Sequence, residues 1–183
     1  MNTALFLALL LTSGNRTSSC TFEKLPPAAE LRAVGIFTNM RYTTEHGYGY
    51  SVSLWRAGDC VLGLLEASDG LACDTPAGQL EDVRYDPRNG ALSFTACLTI
   101  GLFSDRTRTL VPSHDVFVFT GTLIKNTVSG SLSHSNALTP EIRPLVSHVK
   151  LGKALSETMP TGATVGEWRE TIAKLLRFRG PRW

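Results

Sequence analysis

The stretch VFVFTGTLIKNTVSGSLS, residues 116–133, consists of two alternating segments around one turn. Apolar and polar residues alternate on both sides of Lys125-Asn126, and Asn tolerates the left-handed backbone conformation that a two-residue turn requires. A turn at this position places Phe119 opposite Leu132 on an apolar face, and it leaves the other face mostly polar. The stretch therefore predicts a β-hairpin in an antiparallel sheet with one buried face.

Two more hairpins follow the same pattern. Residues 50–56 and 60–67 form the first of them. Residues 80–85 and 91–99 form the second, around the turn signal Asp-Pro-Arg-Asn-Gly at 86–90. The chain is therefore rich in antiparallel strands joined by short links.

The chain contains eight candidate strands once residues 33–39 and 146–155 are added to the three hairpins. Their order and short links predict an all-β fold, an antiparallel up-and-down barrel of about eight strands that removes its sheet edges by closing. Gly121 would lie opposite Gly130 in the hairpin of residues 116–133. This pair predicts a close backbone approach in a strongly curved sheet.

A single amphipathic helix is predicted over residues 164–179, after the last strand. Thr164 and Glu167 form a capping box, and apolar residues recur at helical spacing until a Gly-Pro pair. Three apolar residues of the hairpin at 50–67 share one face and need a cover: Trp55, Leu62 and Leu64. We expect the helix to pack on them outside the barrel.

The N-terminal residues 1–19 have the pattern of a signal peptide. The apolar run ALFLALLL at 4–11 is too short to span a bilayer, and a small, polar segment follows it. Residues 20–32, with two adjacent prolines, are predicted to be a linker, and residues 33–183 a single β-barrel domain. The protein is therefore expected to be exported.

Thr17-Ser18-Ser19-Cys20 resembles the lipobox of bacterial lipoproteins, in which the cysteine after the cleavage site carries diacylglycerol. The resemblance implies that Cys20 is lipidated and anchors the protein to a membrane in the bacterial periplasm or cell envelope. The alternative is a soluble exported protein in which Cys20 pairs with another cysteine.

The other three cysteines are Cys60, Cys73 and Cys97, and their spacing fits neither a zinc site nor a redox motif. In an oxidising compartment Cys60 and Cys73 are expected to form a disulfide across a loop, which leaves Cys97 free or paired with Cys20. The sequence does not choose among these pairings. Nor does any group of residues predict a bound metal.

Gly35-Ile36-Phe37-Thr38-Asn39 is similar to the opening strand of the calycins, the superfamily of lipocalins, fatty-acid-binding proteins and avidins. In this chain Phe37 stands where the family usually has Trp. The resemblance implies a lipocalin-like barrel that binds a small apolar molecule or a partner at its mouth.

Six residues are candidates for such a ligand site. Four phenylalanines are predicted to line the interior: Phe37, Phe94, Phe117 and Phe119. Arg56 shares the apolar face of its strand, and Glu81 shares the apolar face of Val83 and Tyr85. If both faces line the barrel, these two charged groups near strand ends could orient a ligand in an apolar cavity. The alternative is that each reaches solvent at the barrel rim.

No catalytic motif or cofactor fingerprint is recognisable in the sequence. Ser113-His114-Asp115 contains the residue types of a hydrolase triad, but neighbours in an extended chain point to alternating sides. The predicted register makes His134 face Phe117, on the opposite side from His114. A net charge of +2 without a long basic run gives no indication of a nucleic-acid partner.

The sequence thus favours a non-catalytic binder of a small apolar ligand, without a cofactor. The alternative is a solid-cored barrel that acts as a structural or protein-interaction module of the envelope, because an eight-stranded barrel can also be filled by its own side chains. A small hydrolase that uses Glu45, His46 or Asp115 is a third hypothesis, for which the sequence offers residue types but no spacing.

Overall fold

The computed structural model describes residues 18–19, 24–71, 75–99, 102–104, 110–155, 159 and 164–177. The elements in chain order are β1 (Ser18–Ser19), β2 (Arg32–Thr38), β3 (Arg41–Tyr42), β4 (His46–Ala57), β5 (Cys60–Leu71), β6 (Ala77–Asp86), β7 (Ala91–Cys97), β8 (Leu102–Ser104), β9 (Leu110–Pro112), β10 (Asp115–Ile124), β11 (Thr127–Asn136), β12 (Leu145–Lys153) and α1 (Val165–Leu175).

Eight of the strands close into a barrel. In order around the barrel they are β2, β4, β5, β6, β7, β10, β11 and β12, and β12 pairs with β2 to complete the ring. Every neighbouring pair is antiparallel. The predicted all-β, up-and-down barrel of eight strands is therefore confirmed. Outside the ring β1 pairs with β6, β3 pairs with β4, and β8 pairs with β9.

The two-residue turns fix the registers of their hairpins as the sequence predicts. Phe119 pairs with Leu132 across β10 and β11, and Trp55 pairs with Leu62 across β4 and β5. The residue with the left-handed backbone in the β10–β11 turn is Lys125, whose φ is 53°. We expected Asn126 to take that conformation, so the register was predicted correctly but the detail of the turn was not.

The predicted glycine pair is present between β10 and β11. Gly121 pairs with Gly130, and a methyl group on either residue would collide with the backbone of the facing strand. The ring of Phe119 lies over both glycines. The pair therefore leaves room for an aromatic side chain of the core, as a close backbone approach requires.

β6 contains a bulge that the alternation of its residues conceals. Asp82 has a φ of 49°, and the register with β7 shifts around it. Tyr85 pairs with Leu92 as predicted, but Glu81 pairs with Thr95 and is exposed. The prediction that Glu81 lies on the apolar face is therefore wrong, because the extra residue of the bulge turns its side chain to the outside.

Apolar side chains fill the barrel interior. All four phenylalanines that were predicted to line it are buried in one cluster: Phe37, Phe94, Phe117 and Phe119. Phe94 and Phe119 stack with their ring centroids 5.0 Å apart. The centre of the barrel is thus occupied by residues of the protein itself.

Helix α1 covers the outer apolar face, as predicted. Trp168 packs edge to face on Trp55, with ring centroids 5.6 Å apart. The helix begins at the predicted capping box of Thr164 and Glu167. The cluster between helix and barrel contains Leu31, Ile36, Trp55, Ala57, Leu62, Leu64, Met159, Val165, Trp168 and Ile172. Among the described residues, no helix combines the length and the apolar character needed to cross a membrane.

The segment before β2 docks on the barrel and the helix. Leu31 is buried in the outer cluster, and the carbonyl oxygens of Pro27 and Ala29 accept hydrogen bonds from the first two amides of α1, at 2.8 and 2.9 Å. These amides would otherwise lack partners at the start of a helix. The described part of the predicted linker, residues 24–32, therefore contacts both the barrel and the helix.

The sheet also includes two residues that were predicted to belong to a signal peptide. Ser18 pairs with Tyr85 and Ser19 pairs with Arg84 through β1. The domain boundary at residue 19 stays a prediction, and these two residues are the part of the predicted signal peptide that the structure describes. Residues 1–17 lie outside the described part of the chain.

The two ends of the barrel differ in their connections. At one end the strands are joined by the short turns 58–59, 87–90 and 125–126. At the other end, which we call the mouth, they are joined by four longer connections: 39–45, 72–76, 98–114 and 137–144. Because Trp55 and Ala57 lie next to the turn at 58–59, α1 packs near the turn end. The mouth is thus the end of the barrel at which the longer connections join the strands.

Candidate functional site

Polar side chains meet aromatic rings at the mouth. Asp115 pairs with Asn136, and Phe117 pairs with His134, so the pleat places all four side chains on the inward face. We call these four residues, together with Ser113 and Tyr50, the mouth cluster. The turn at 125–126 determines the pairing of these residues, which lie eight to ten positions from it, because it fixes the register of β10 and β11.

Asp115 is the centre of the hydrogen bonds in the mouth cluster. One carboxylate oxygen, Oδ2, accepts from Ser113 Oγ at 2.6 Å. The other, Oδ1, accepts from His134 Nε2 at 2.8 Å and from Asn136 Nδ2 at 3.0 Å. Ser113 is buried, whereas 25% of the Asp115 side chain and 38% of the His134 side chain are exposed. The cluster is therefore accessible from solvent on the side of His134.

Burial alone would raise the pKa of the Asp115 carboxyl group. The hydrogen bonds from Ser113, His134 and Asn136 outweigh this effect and hold its pKa below the usual value. An ionised carboxylate only accepts hydrogen bonds, so His134 Nε2 must carry a proton and donate it. In the neutral ring Nδ1 is then the acceptor, and it makes no hydrogen bond within the described residues.

The ring of Phe117 supports His134, and Tyr50 in turn packs against Phe117. The imidazole stacks on Phe117 with ring centroids 4.4 Å apart and 7° between the planes. Tyr50 meets Phe117 edge to face at 5.9 Å. Burial, and to a lesser extent the Asp69 carboxylate, raise the pKa of the Tyr50 hydroxyl group. The mouth cluster therefore combines an apolar aromatic floor with an oriented imidazole.

Thr38 and Asn39, which follow Phe37, form hydrogen bonds with the backbone of Tyr50. Thr38 Oγ1 donates to the Tyr50 carbonyl oxygen at 3.1 Å, and Asn39 Oδ1 accepts from the Tyr50 amide at 2.8 Å. The Asn39 amide also donates to the Tyr50 carbonyl at 3.1 Å. These bonds fix the strand that places Tyr50 at the mouth, so the pair has a structural role here.

The cluster contains serine, histidine and aspartate but not in the order that nucleophilic catalysis requires. Ser113 donates to Asp115 rather than to a histidine, and His114 is exposed. In a catalytic triad the histidine lies between the nucleophile and the carboxylate, so that it can take the nucleophile's proton. The described contacts thus support an oriented imidazole but no activated serine.

The other residues of the hydrolase hypothesis lie elsewhere on the mouth. Glu45 is exposed, and His46 stacks on Tyr48 with ring centroids 6.1 Å apart. No hydrogen bond links either residue to Asp115 within the part of the chain that the structure describes. In that same part, no three His, Cys, Asp or Glu side chains form a group suited to a metal ion.

Arg56, one of the two charged candidates, lies at the turn end of the barrel. Its guanidinium donates to the Gly58 carbonyl oxygen at 2.6 Å and contacts the Asp59 carboxylate at 3.4 Å. It therefore holds the turn at 58–59 and is far from the mouth. Glu81, the other candidate, lies on the outer wall. The structure brings neither of them to the mouth cluster.

The cysteines differ in their states. Cys60 is disulfide-bonded, whereas Cys97 is a free thiol. Burial, and secondarily the Glu81 carboxylate, raise the pKa of the Cys97 thiol, which lowers its thiolate fraction and its reactivity. Cys20, the predicted lipidation site, and Cys73, the predicted disulfide partner, lie outside the described residues.

No protein-family model, curated protein or solved structure matches this chain. The similarity of residues 35–39 to the calycins and of residues 17–20 to the lipobox therefore remains a prediction from those residues.

Replacing Asp115 by Asn is expected to lower the free energy of unfolding at neutral pH by about 1–2 kcal/mol, because the charge-assisted hydrogen bonds weaken. The native pKa of Asp115 lies below the unfolded value of about 3.9, so its contribution is complete above that pH. It is lost as the pH falls through the lower native pKa. Urea unfolding over a series of pH values should therefore show a shallower acid decline for Asp115→Asn.

Ser113→Ala provides a graded comparison, since it removes one of the three donors and leaves the carboxylate in place. Its acid decline should lie between those of the wild type and Asp115→Asn. Identical declines for all three proteins would contradict the assignment of Asp115 as a stabilised carboxylate.

Proposed function

We propose that this protein is an exported, non-catalytic barrel that binds a small, mainly apolar ligand at its mouth. The observation that carries the proposal is the stack of Phe117 and His134 beneath the barrel opening, with the imidazole oriented by Asp115. Binding sites of small molecules are typically apolar concavities with a few placed polar groups. The mouth cluster has this composition.

The filled interior supports a site at the mouth rather than deep in the barrel. Phe37, Phe94 and Phe119 are buried against one another and their neighbours in the central cluster. Phe117 is the one of the four phenylalanines that belongs to the mouth cluster, where it contacts Tyr50 and His134. We therefore assign ligand contact to Phe117, Tyr50 and His134, and a packing role to the other three phenylalanines.

The chemistry of the mouth cluster suggests which ligands fit. An aromatic or aliphatic body would contact Tyr50 and the rings below it, and a hydrogen-bond donor of the ligand would reach His134 Nδ1. Leu145 lies opposite His134 in β12 and is 68% exposed, so it offers further apolar surface beside the imidazole. A small amphiphile with one donor group matches these features.

The probe for this proposal is N-phenyl-1-naphthylamine, a neutral fluorescent compound with two aromatic groups and one N–H donor. We expect its fluorescence to increase on titration with the protein. His134→Ala should weaken binding about tenfold, since loss of a hydrogen bond and a ring contact amounts to roughly 1–2 kcal/mol. Leu145→Glu should also weaken binding, because it places a charge beside the imidazole.

Three variants serve as matched controls. His148→Ala removes an exposed imidazole from the outer face, Arg56→Ala alters the turn end, and Glu81→Gln alters the outer wall. All three should leave the Kd unchanged. If His134→Ala and Leu145→Glu bind the probe as tightly as the wild type, the mouth is not the site.

Export to a bacterial periplasm or cell envelope is part of the same proposal. The apolar run at residues 4–11 has the length of a signal-peptide core. The disulfide of Cys60 supports an oxidising compartment, since disulfides are rare where the cell keeps thiols reduced. Membership of the calycins is consistent with the closed barrel and remains a proposal.

A protein-interaction module is the second candidate function. Four apolar side chains near the last connection of the mouth are each at least 47% exposed: Leu138, Ile142, Leu145 and Val146. Such a rim could contact a protein partner over a barrel whose core is already filled. This candidate is favoured if neither the probe nor a co-purified small molecule binds the wild-type protein in native mass spectrometry.

A further inference from the structure

One nitrogen of His134 is available to the polar group of a ligand. Nε2 donates to Asp115 Oδ1 at 2.8 Å, and the ring is stacked on Phe117 with 7° between the planes. These two contacts fix the orientation of the imidazole, so Nδ1 points away from the carboxylate. Nδ1 makes no hydrogen bond within the described residues, and 38% of the His134 side chain is exposed. A ligand at the mouth can therefore reach this atom.

Protonation reverses the chemistry of His134 Nδ1. In the neutral ring this nitrogen is an acceptor and takes a hydrogen bond from an N–H or O–H group of the ligand. In the imidazolium it is a charged donor, and charged donors bind anionic oxygens more strongly than neutral ones. The charge of one ring therefore decides whether a neutral donor or an anion fits the same position.

The carboxylate of Asp115 strengthens this selection. Burial opposes its ionisation, but the three hydrogen bonds described above hold the pKa of the Asp115 carboxyl group below its usual value. Asp115 therefore stays ionised throughout the pH range in which histidine titrates. While His134 is neutral, the pair of side chains has one net negative charge and repels an anion. Once His134 is protonated, the pair is neutral overall and presents an N–H donor.

The other described groups around His134 keep their charge in the same pH range. Burial, and secondarily the Asp69 carboxylate, raise the pKa of the Tyr50 hydroxyl group on β4, so this group stays uncharged. Leu145, which lies opposite His134 on β12, is apolar, and Asn136 on β11 is a neutral amide. Within the described contacts of the mouth cluster, the imidazole is thus the group whose charge changes.

We propose that the mouth binds amphiphiles with an acidic headgroup and takes up one proton with each of them. This inference rests on the ligand site proposed above and names the class of its ligand. The proton comes from the solvent and stays on His134 Nδ1, which donates to an anionic oxygen of the headgroup. The apolar body lies against Tyr50 and the exposed side chain of Leu145. Neutral amphiphiles with a donor group are the ligands of the unprotonated form.

Two fluorescent probes with the same aromatic groups test the proposal. N-phenyl-1-naphthylamine is neutral, and 8-anilino-1-naphthalenesulfonate has the same ring system with a sulfonate group. As the pH falls from about 8 to about 5, the range in which histidine titrates, the Kd of the sulfonated probe should fall. We expect a change of about tenfold, the effect of one charge-assisted hydrogen bond. The Kd of the neutral probe should rise over the same range, because Nδ1 is no longer an acceptor.

Two glutamine variants show whether the pH dependence belongs to His134. His134→Gln removes the titrating ring and keeps an amide that can donate to Asp115, so the Kd of both probes should become nearly independent of pH. His114→Gln is the matched control, because His114 is an exposed histidine at the same end of the barrel and outside the mouth cluster. It should retain both opposite trends. Trends that persist in His134→Gln, or that run in the same direction for both probes, would overturn the proposal.

Isothermal titration calorimetry of the wild type decides the question even if His134→Gln does not fold. Binding enthalpies at about pH 6.5, in buffers with different enthalpies of ionisation, give the number of protons exchanged. We expect proton uptake with the sulfonated probe and proton release with the neutral one; equal proton exchange for both contradicts the proposal. If the neutral probe binds and the affinity for the sulfonated probe does not depend on pH, the acidic ligand class alone is wrong. If neither probe binds at any pH, the ligand site is wrong as well.

Discussion

Trp168→Asp is expected to lower the free energy of unfolding by at least about 4 kcal/mol, because removing a buried Trp side chain costs roughly 3–5 kcal/mol and a buried charge adds to that cost. Trp168 is 2% exposed and packs on Trp55 in the centre of the outer cluster. A loss of this size is comparable with the whole stability of many domains, about 5–15 kcal/mol. Urea unfolding followed by circular dichroism measures it.

Thr171→Asp is the charge-matched control on the same helix. Thr171 is exposed, and Thr and Asp have similar helix propensities, so the cost should be below about 0.5 kcal/mol. Equal unfolding midpoints for the two variants would show that the barrel does not need the helix as a cover. We expect Trp168→Asp to be much less stable than Thr171→Asp, because the apolar outer face of β4 and β5 would be exposed to water without α1.

The placement of α1 could be predicted because the sequence shows two apolar surfaces that each need a partner, one on the barrel and one on the helix. Trp55, Leu62 and Leu64 form an apolar face outside the barrel, and the helix has one apolar stripe that needs a surface. Registers were predictable for a similar reason, since a short turn fixes which residues face each other. Local patterns therefore determined most of the fold.

The position of Glu81 could not be predicted by simple alternation because of the bulge at Asp82. A signal was present in the sequence: Leu80 and Val83 are both apolar, but they are three residues apart and would point to opposite faces of a regular strand. In the structure both are buried in the barrel interior. A charged residue on a supposedly apolar face was a second indication of a register break. Bulges depend on the backbone conformation of one residue, which alternation does not describe.

The mouth cluster was only partly predictable. The register correctly placed His134 opposite Phe117. The hydrogen bonds of Asp115 to Ser113, His134 and Asn136 depend on side-chain geometry across two strands and a loop, which the sequence does not specify. Tyr50 was missed, although it shares the inward face of Val52 and lies at the mouth end of β4.

The predicted end of β5 differs from the observed one by four residues. We predicted that β5 ends at Ala67 and that a loop then allows Cys73 to approach Cys60. The strand instead extends to Leu71, and Cys73 lies outside the described residues. Boundaries are the least reliable part of a prediction from sequence, and the pairing of Cys60 with Cys73 stays a prediction.

Cys60→Ser is expected to lower the free energy of unfolding by about 2–4 kcal/mol, because Cys60 is disulfide-bonded and a disulfide stabilises a fold by roughly this amount. Cys97→Ser is the matched control. It changes a free, half-buried thiol to a hydroxyl group and should cost less than about 1 kcal/mol. Urea unfolding of the mature protein measures both values.

A reducing agent distinguishes the effect of losing the disulfide from any other effect of the Cys60→Ser substitution on stability. Reduction should lower the stability of the wild type and of Cys97→Ser to nearly that of Cys60→Ser, and it should have no effect on Cys60→Ser itself. The reason is that the link acts mainly on the unfolded chain, which gains conformational freedom when the bond is absent. If reduction leaves the stability of the wild type unchanged, the disulfide of Cys60 does not contribute to the free energy of unfolding.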